Sequence, residues 1–170
     1  MASDRLVPSA QRKIQSLRVL RPIIQRAKAC GHTVVFTNGC FDLLHAGHVT
    51  LLERAKRCGD LLIVAINSDR SVRALKGPTR PIMGQRDRAL LLAGLESVDY
   101  VTVFNEATPE RLVRRLRPHV LVKGADWGRG HIVGGDIVQR NGGRVVRMPL
   151  RKGYSTTQLI ERIRTVRDAR

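Results

Sequence analysis

The sequence predicts an α/β fold, a doubly wound parallel sheet of about five strands in a single domain. Three observations carry that expectation. Short runs of β-branched and aliphatic residues alternate along the chain with segments of helical spacing. The runs Val34-Val35-Phe36 and Leu61-Leu62-Ile63-Val64-Ala65-Ile66 show no polar alternation, so both faces are covered, as in a parallel sheet. A chain of 170 residues suits one core, since at that size roughly 70% of the unfolded surface is buried.

Taken in order, the strands are expected at Thr33–Thr37, Leu61–Asn67, Tyr100–Phe104, Val120–Lys123 and Arg144–Met148. Helices are expected between them at Gly47–Cys58, Gln85–Leu95, Pro109–Leu116 and Ile132–Gln139, with a last one at Thr156–Val166. In the first of these, Leu51, Leu52, Ala55 and Cys58 share a face, and Gly59 stands where a left-handed C-terminal residue is expected. Residues 1–16 are polar and read as loose. Leu17, Leu20, Ile24 and Ala27 suggest a leading helix over 17–29, which Pro22 would kink or begin. Residues 1–31 are thus assigned to a tail and leading helix, and 32–170 to the domain proper.

Composition narrows the class. Hydrophobic residues make up 42% and aromatics 4%, so the core is aliphatic. Cys30, Cys40 and Cys58 are an odd set without a C-x-x-C pair, which argues for a reducing compartment. No uncharged apolar stretch approaches the ~18 residues of a membrane helix. Arg5, Arg12, Lys13 and Arg18 interrupt any signal-peptide core. A cytoplasmic protein with no membrane partner is expected. The formal charge of +17 suits an anionic partner, either nucleic acid or a small phosphorylated ligand. The basic residues are spread along the chain without an RGG tract, zinc-finger spacing or RNP pattern, which weighs against nucleic acid. A solvated basic surface stays open beside a polyanion site.

In open parallel sheets the ligand lies beyond the carboxyl ends of the strands. After the first strand comes Thr37-Asn38-Gly39-Cys40-Phe41-Asp42-Leu43-Leu44-His45-Ala46-Gly47-His48. It contains neither G-x-G-x-x-G nor G-x-x-x-x-G-K-[ST], which argues against a dinucleotide dehydrogenase or P-loop enzyme. It places H-x-G-H at the entry to a helix. Two imidazoles three residues apart can face one way, Gly47 allows close approach, and the helix start offers N–H groups and partial positive charge to a polyphosphate. Three rival readings stand beside this one: histidines that satisfy local hydrogen bonds, a metal site of Cys40, His45 and His48, and a Cys40 nucleophile paired with His48.

The string Asn38-Gly39-Cys40-Phe41-Asp42 with His45-Ala46-Gly47-His48 resembles the signature of the nucleotidyltransferase superfamily, to which cytidylyltransferases belong. Further segments narrow the likeness: Asn67-Ser68-Asp69, Lys76-Gly77-Pro78-Thr79-Arg80-Pro81, Lys123-Gly124-Ala125-Asp126-Trp127 and Gly153-Tyr154-Ser155-Thr156-Thr157. Together, over about 34–163, they resemble the D-glycero-β-D-manno-heptose 1-phosphate adenylyltransferases in a stand-alone form, without a fused sugar kinase. The resemblance implies a Rossmann-like nucleotidyltransferase fold. It also implies transfer of AMP from ATP to heptose 1-phosphate, giving ADP-heptose for lipopolysaccharide, with Mg²⁺ accompanying ATP. Family members often pair as homodimers.

The residue roles it implies are these. His45, His48 and Lys76 are catalytic. Thr37, Asn38, Gly39, Cys40, Phe41, Asp42, Gly47, Arg88, Lys123, Gly124, Asp126, Trp127, Ser155, Thr156 and Thr157 bind the nucleotide. Lys76, Arg80 and Asp42 bind the sugar phosphate, and Asp42 is a candidate to orient the loop or to hold Mg²⁺. Lys76 is read in a loop after the second strand. Arg86 stands two positions before Arg88, where the family usually has an acidic residue. Ser155-Thr156-Thr157 could cap a helix and bind phosphate at once. A cytidylyltransferase for glycerol 3-phosphate and a basic nucleic-acid binder on a degenerate scaffold are the alternative functions.

Overall fold

The computed structural model describes residues 9–124, 132–149, 153 and 155–168. Within them the chain runs α1 (Ser9–Arg12), α2 (Leu17–Ala29), β1 (Val34–Gly39), α3 (Ala46–Lys56), β2 (Leu61–Asn67), α4 (Asp69–Lys76), α5 (Gln85–Ala93), β3 (Tyr100–Phe104), α6 (Glu110–Leu116), β4 (Val120–Gly124), α7 (Gly135–Arg140), β5 (Arg144–Met148) and α8 (Thr156–Asp168). The five strands lie in the order β3-β2-β1-β4-β5, each pair parallel. The order reverses at β1 and β4, and folds of this kind hold their ligand crevice beyond the carboxyl ends of the strands at that point.

Alternate residues of each strand feed opposite faces, and both faces are apolar, as the unbroken runs require. On one side Val35, Val64, Ile66 and Val122 meet Leu51 and Leu52 of α3 and Leu92 of α5. On the other, Val34, Phe36, Ile63 and Leu121 meet Leu20 and Ile24 of α2, Val113 of α6 and Val138 of α7. The leading helix therefore seals the core. It begins at Leu17, with Pro22 inside it.

Three local expectations are corrected. Residues 9–16 are not loose: Gln15 N–H donates to the Val101 carbonyl and Val101 N–H to that of Lys13, both at 2.9 Å, while Ile14 packs on the core. This segment occupies the outer edge of β3, which would otherwise expose unpaired backbone. Lys76 is the last residue of helix α4 and not part of a loop. The Ser68 side chain caps that helix by accepting from Ser71 N–H at 3.3 Å, a start signal too brief for periodicity to reveal in eight residues. Gly59 is not left-handed. A Cβ there would stand 2.7 Å from the Thr33 carbonyl oxygen and 2.8 Å from Val35 Cγ2, so glycine is needed for space where the α3–β2 turn crosses β1.

Gly59→Ala is accordingly expected to cost about 1–3 kcal/mol of stability, the usual cost of overpacking. Urea unfolding should show the lowered midpoint, and an unchanged midpoint would mean that the turn moves aside freely.

Candidate active site

Strand β1 delivers its last residues to the crevice. Thr37 is buried, and a Cβ on Gly39 would lie 3.0 Å from Cε2 of Phe41, so the glycine admits that ring. Phe41 itself has φ of 47°, a left-handed backbone that costs a non-glycine residue of order 1–3 kcal/mol. The turn is held by burial of its ring and by Arg88 Nη1, which donates to the Cys40 carbonyl at 2.5 Å.

Two residues past this loop, His45 stands as the extended residue ahead of α3, without capping the helix through its side chain. The first N–H groups of α3 thus face the crevice without a side-chain cap. His48, one turn on, stacks against His45 with ring centroids 3.7 Å apart and planes inclined by 19°. Phe41 closes the other side of His48, at 5.0 Å and 58°. Burial, and then the neighbouring His45, push the His48 pKa down to about 4, which the nearby Leu43 carbonyl only partly offsets. No hydrogen bond closes on His48 Nδ1, which is buried. Burial lowers His45 as well. Both rings are neutral at pH 7 and can donate through one nitrogen each.

The other sequence-predicted residues fall into two groups. Lys123, at the end of β4 and 6% exposed, donates to the Asn38 carbonyl at 3.3 Å and to Asn38 Oδ1. It bridges the two strands at which the order reverses, beside Gly124. Lys76, Arg88 and Arg80 all act electrostatically on Cys40, whose thiol burial pushes up, so the thiolate a nucleophile requires is disfavoured. Gly47 is buried within the first turn of α3. Ser155, Thr156 and Thr157 open α8, where Ser155 Oγ accepts from Gln158 N–H at 3.1 Å. Asp126 and Trp127 lie outside the described residues.

The second group is occupied by the protein itself. Asp42, 2% exposed, receives the Arg80 guanidinium, Ile82 N–H at 2.7 Å and Met83 N–H at 3.1 Å. Arg88 is wholly buried and donates to the Met83, Cys40 and Asn67 carbonyls and to Asp69 Oδ1. It therefore braces the site from behind and does not present its charge to a phosphate. Sequence reasoning missed Asp69 and Met83 as its partners. Only the acidic residue directly after β2 hinted at the pair.

No three His, Cys, Asp or Glu side chains among the described residues group into a metal site. With both Asp42 oxygens engaged, the residues present do not fit a protein-held magnesium; a divalent ion would travel as part of a metal–triphosphate substrate.

Residues 36–162 match the family described as cytidylyltransferase-like. The chain belongs to the cytidylyltransferase-like family. It is 50% identical over 158 residues to the bifunctional protein HldE of Geotalea uraniireducens, covering 93% of this chain and 32% of that protein. It is 54% identical over 155 residues to the HldE of Ectopseudomonas mendocina, covering 91% and 33%. The chain thus spans about a third of the length of these relatives. A lipopolysaccharide core biosynthesis protein from Thermoplasma volcanium is 27% identical with a TM-score of 0.59, covering 74% of this chain and all of that one. Pantothenate synthetase from Thermus thermophilus, 22% identical with a TM-score of 0.54, shares the fold. The Rossmann-like nucleotidyltransferase fold expected from the sequence is the one found. No described helix is long and apolar enough to cross a membrane.

The buried His48 ties stability to pH. Its pKa falls from 6.5 in the unfolded chain to about 4 in the fold. Between those values only the unfolded state takes up the proton, so stability is whole above pH 6.5 and declines toward pH 4. His48→Gln should flatten this decline: urea midpoints at about pH 7.5 and about pH 5 should differ less in the variant. Equal differences would show that the ring is as solvated as in the unfolded chain.

Proposed function

We propose that this chain transfers AMP from ATP to a sugar 1-phosphate, heptose 1-phosphate above all, releasing pyrophosphate and giving ADP-heptose. The observation that carries the reading is the pair of stacked, neutral imidazoles at the start of α3, on the connection that leaves β1 where the strand order reverses. The similarity to HldE proteins and to a lipopolysaccharide core biosynthesis protein supports the choice of acceptor, as do the Lys76–Pro81 and Ser155–Thr157 segments.

The chemistry needs little more than positioning. The acceptor phosphate oxygen is already an anion; it forms a bond to the α-phosphorus as the bond to the bridging oxygen of the β-phosphate breaks, and pyrophosphate leaves. No proton has to be removed, so catalysis rests on orientation and on donors aimed at the charge that builds on the α-phosphoryl oxygens. His45 and His48 supply those donors from a desolvated setting, where each hydrogen bond is stronger than in water. Asn38, held by Lys123, and the backbone of Gly39 approach the nucleotide. Lys76 and Arg80, beside the Cys40–Asp42 turn, face the acceptor and counter its charge. Magnesium enters with ATP. Cytoplasmic action and pairing of two copies accompany this reading.

His48→Ala should lower kcat/KM by about 100- to 1,000-fold, as for loss of one transition-state donor, with the unfolding midpoint retained. Pyrophosphate release should be read with ATP and heptose 1-phosphate, and with CTP and glycerol 3-phosphate. Turnover only with the latter pair would reassign the chain to a cytidylyltransferase. Full turnover in the His45→Ala/His48→Ala variant would remove the imidazoles from the mechanism.

A further inference from the structure

A cavity lies beyond the carboxyl ends of β2 and β3, away from the point where strand order reverses. It is an open groove of about 660 Å³ between the starts of α4 and α5. Arg70 and Arg73 line it from α4 and Arg86 from α5, with Asp69, Gln85 and Asp87 among the other walls. All three arginines are exposed, and none is within ion-pair distance of a carboxylate among the described residues. Of the two acids, Asp69 is already engaged by the buried Arg88 at 2.8 Å. Asp69, which also feels Arg73, and Asp87 stand against the three rim guanidinium groups and Arg88, so the groove carries positive charge in excess.

The walls are built and do not merely drift together. Asp69 N–H donates to Gln85 Oε1 at 3.0 Å, tying the first turn of α4 to that of α5. Ser68 caps α4, and Arg88 pins Asp69 from below while its other donors reach Asn67, Met83 and Cys40. Arg88 therefore stands between the groove and the loop that leads to His45. The three arginine stems rise from backbone whose relative position is already fixed, so binding an anion has to order only the side chains.

We infer that this groove is a second anion site, for a small molecule carrying more than one phosphate group, separate from the triphosphate site at His45 and His48. Guanidinium forks match phosphate oxygens in pairs, and several forks around an open basin suit condensed or multiple phosphates better than a lone carboxylate. The inference goes beyond the transferase reading and stands or falls apart from it.

Calorimetric titration of the whole chain with inorganic tripolyphosphate at fixed ionic strength separates the two sites. The wild type should bind two equivalents. His45→Ala/His48→Ala should keep one of them, and adding Arg73→Gln/Arg86→Gln should weaken that one by about tenfold or more, the loss expected for charge-assisted hydrogen bonds. Arg54→Gln/Arg57→Gln, which removes equal charge from α3 and the residue after it, should change it less than about twofold. No binding in the histidine variant would overturn the inference, as would binding that survives Arg73→Gln/Arg86→Gln or falls equally in both arginine variants. If only the groove exists, the histidine variant will bind as the wild type does; that result would count against the triphosphate site and leave the groove standing.

Discussion

The site depends on one buried guanidinium. Arg88 is inaccessible to solvent, and a cation in such a place is tolerated only with a counter-charge and a full set of acceptors. It has both: Asp69 at 2.8 Å, and the carbonyls of Cys40, Asn67 and Met83. Those four acceptors belong to the segment after β1, to the end of β2 and the start of α4, and to the turn before α5, so one side chain joins all three. Asp42 makes the complementary tie, a buried carboxylate on the β1 loop that receives Arg80, Ile82 and Met83 from the segment before α5. Each of two neighbouring chain segments thus places an ion inside the other. Removing one partner of such a pair leaves an uncompensated buried charge, typically a loss of about 3–5 kcal/mol. That constraint lets Phe41 keep a left-handed backbone and sets the direction in which the chain enters α3.

Within the frame so fixed, the charges are graded. Cations sit at the rim and behind the loop, whereas the two imidazoles proposed to meet phosphate are neutral. Two imidazolium rings stacked at 3.7 Å would repel one another, and burial already disfavours the first proton. The stack therefore holds no pair of opposed like charges. Lys123 acts from β4: its ammonium group sits under Asn38, where positive charge can be felt by a bound anion without direct contact.

The strands were legible because a parallel sheet covered on both faces writes itself as uninterrupted aliphatic residues, and Val34–Phe36 and Leu61–Ile66 are such runs. The H-x-G-H turn was legible for a different reason: strand end, glycine and helix start occur in one continuous stretch. What was not legible depends on contacts between distant segments. Arg88 looks like one more exposed arginine in Gln85-Arg86-Asp87-Arg88, and only the positions of Cys40, Asn67 and Asp69 make it internal. Asp42 is intermediate: its place in the loop suggests either a cation or the loop's own orientation, and only its contacts with Arg80, Ile82 and Met83 show that its oxygens fold the loop. Helix α4 escaped because eight residues give too few turns for periodicity, and its cap is a single serine. Gly59 was noticed for the wrong property; the sequence marks a glycine, but whether it supplies a dihedral angle or an absence of volume depends on what lies opposite.

The excess of positive charge is easier to interpret once its members are sorted by surroundings. Arg114 with Glu110, Arg140 with Asp136 and Arg111 with Glu106 are exposed pairs, of the kind worth little to stability. Lys28 is structural: its ammonium group closes the end of α6 by donating to the carbonyls of Leu116 and Arg117, and burial lowers its pKa. Arg88 is internal, Lys123 nearly so, and Arg80 is half-buried against Asp42. The remainder raises the potential over the whole surface, and a field of one sign draws anions toward every concavity, speeding encounter more than it tightens binding. Retention then requires donors that are fixed before the ligand arrives. By that criterion a net charge of +17 is no evidence for nucleic acid by itself; what matters is which groups the fold holds in place, and among them are the stacked imidazoles ahead of α3 and the tie between the first turns of α4 and α5.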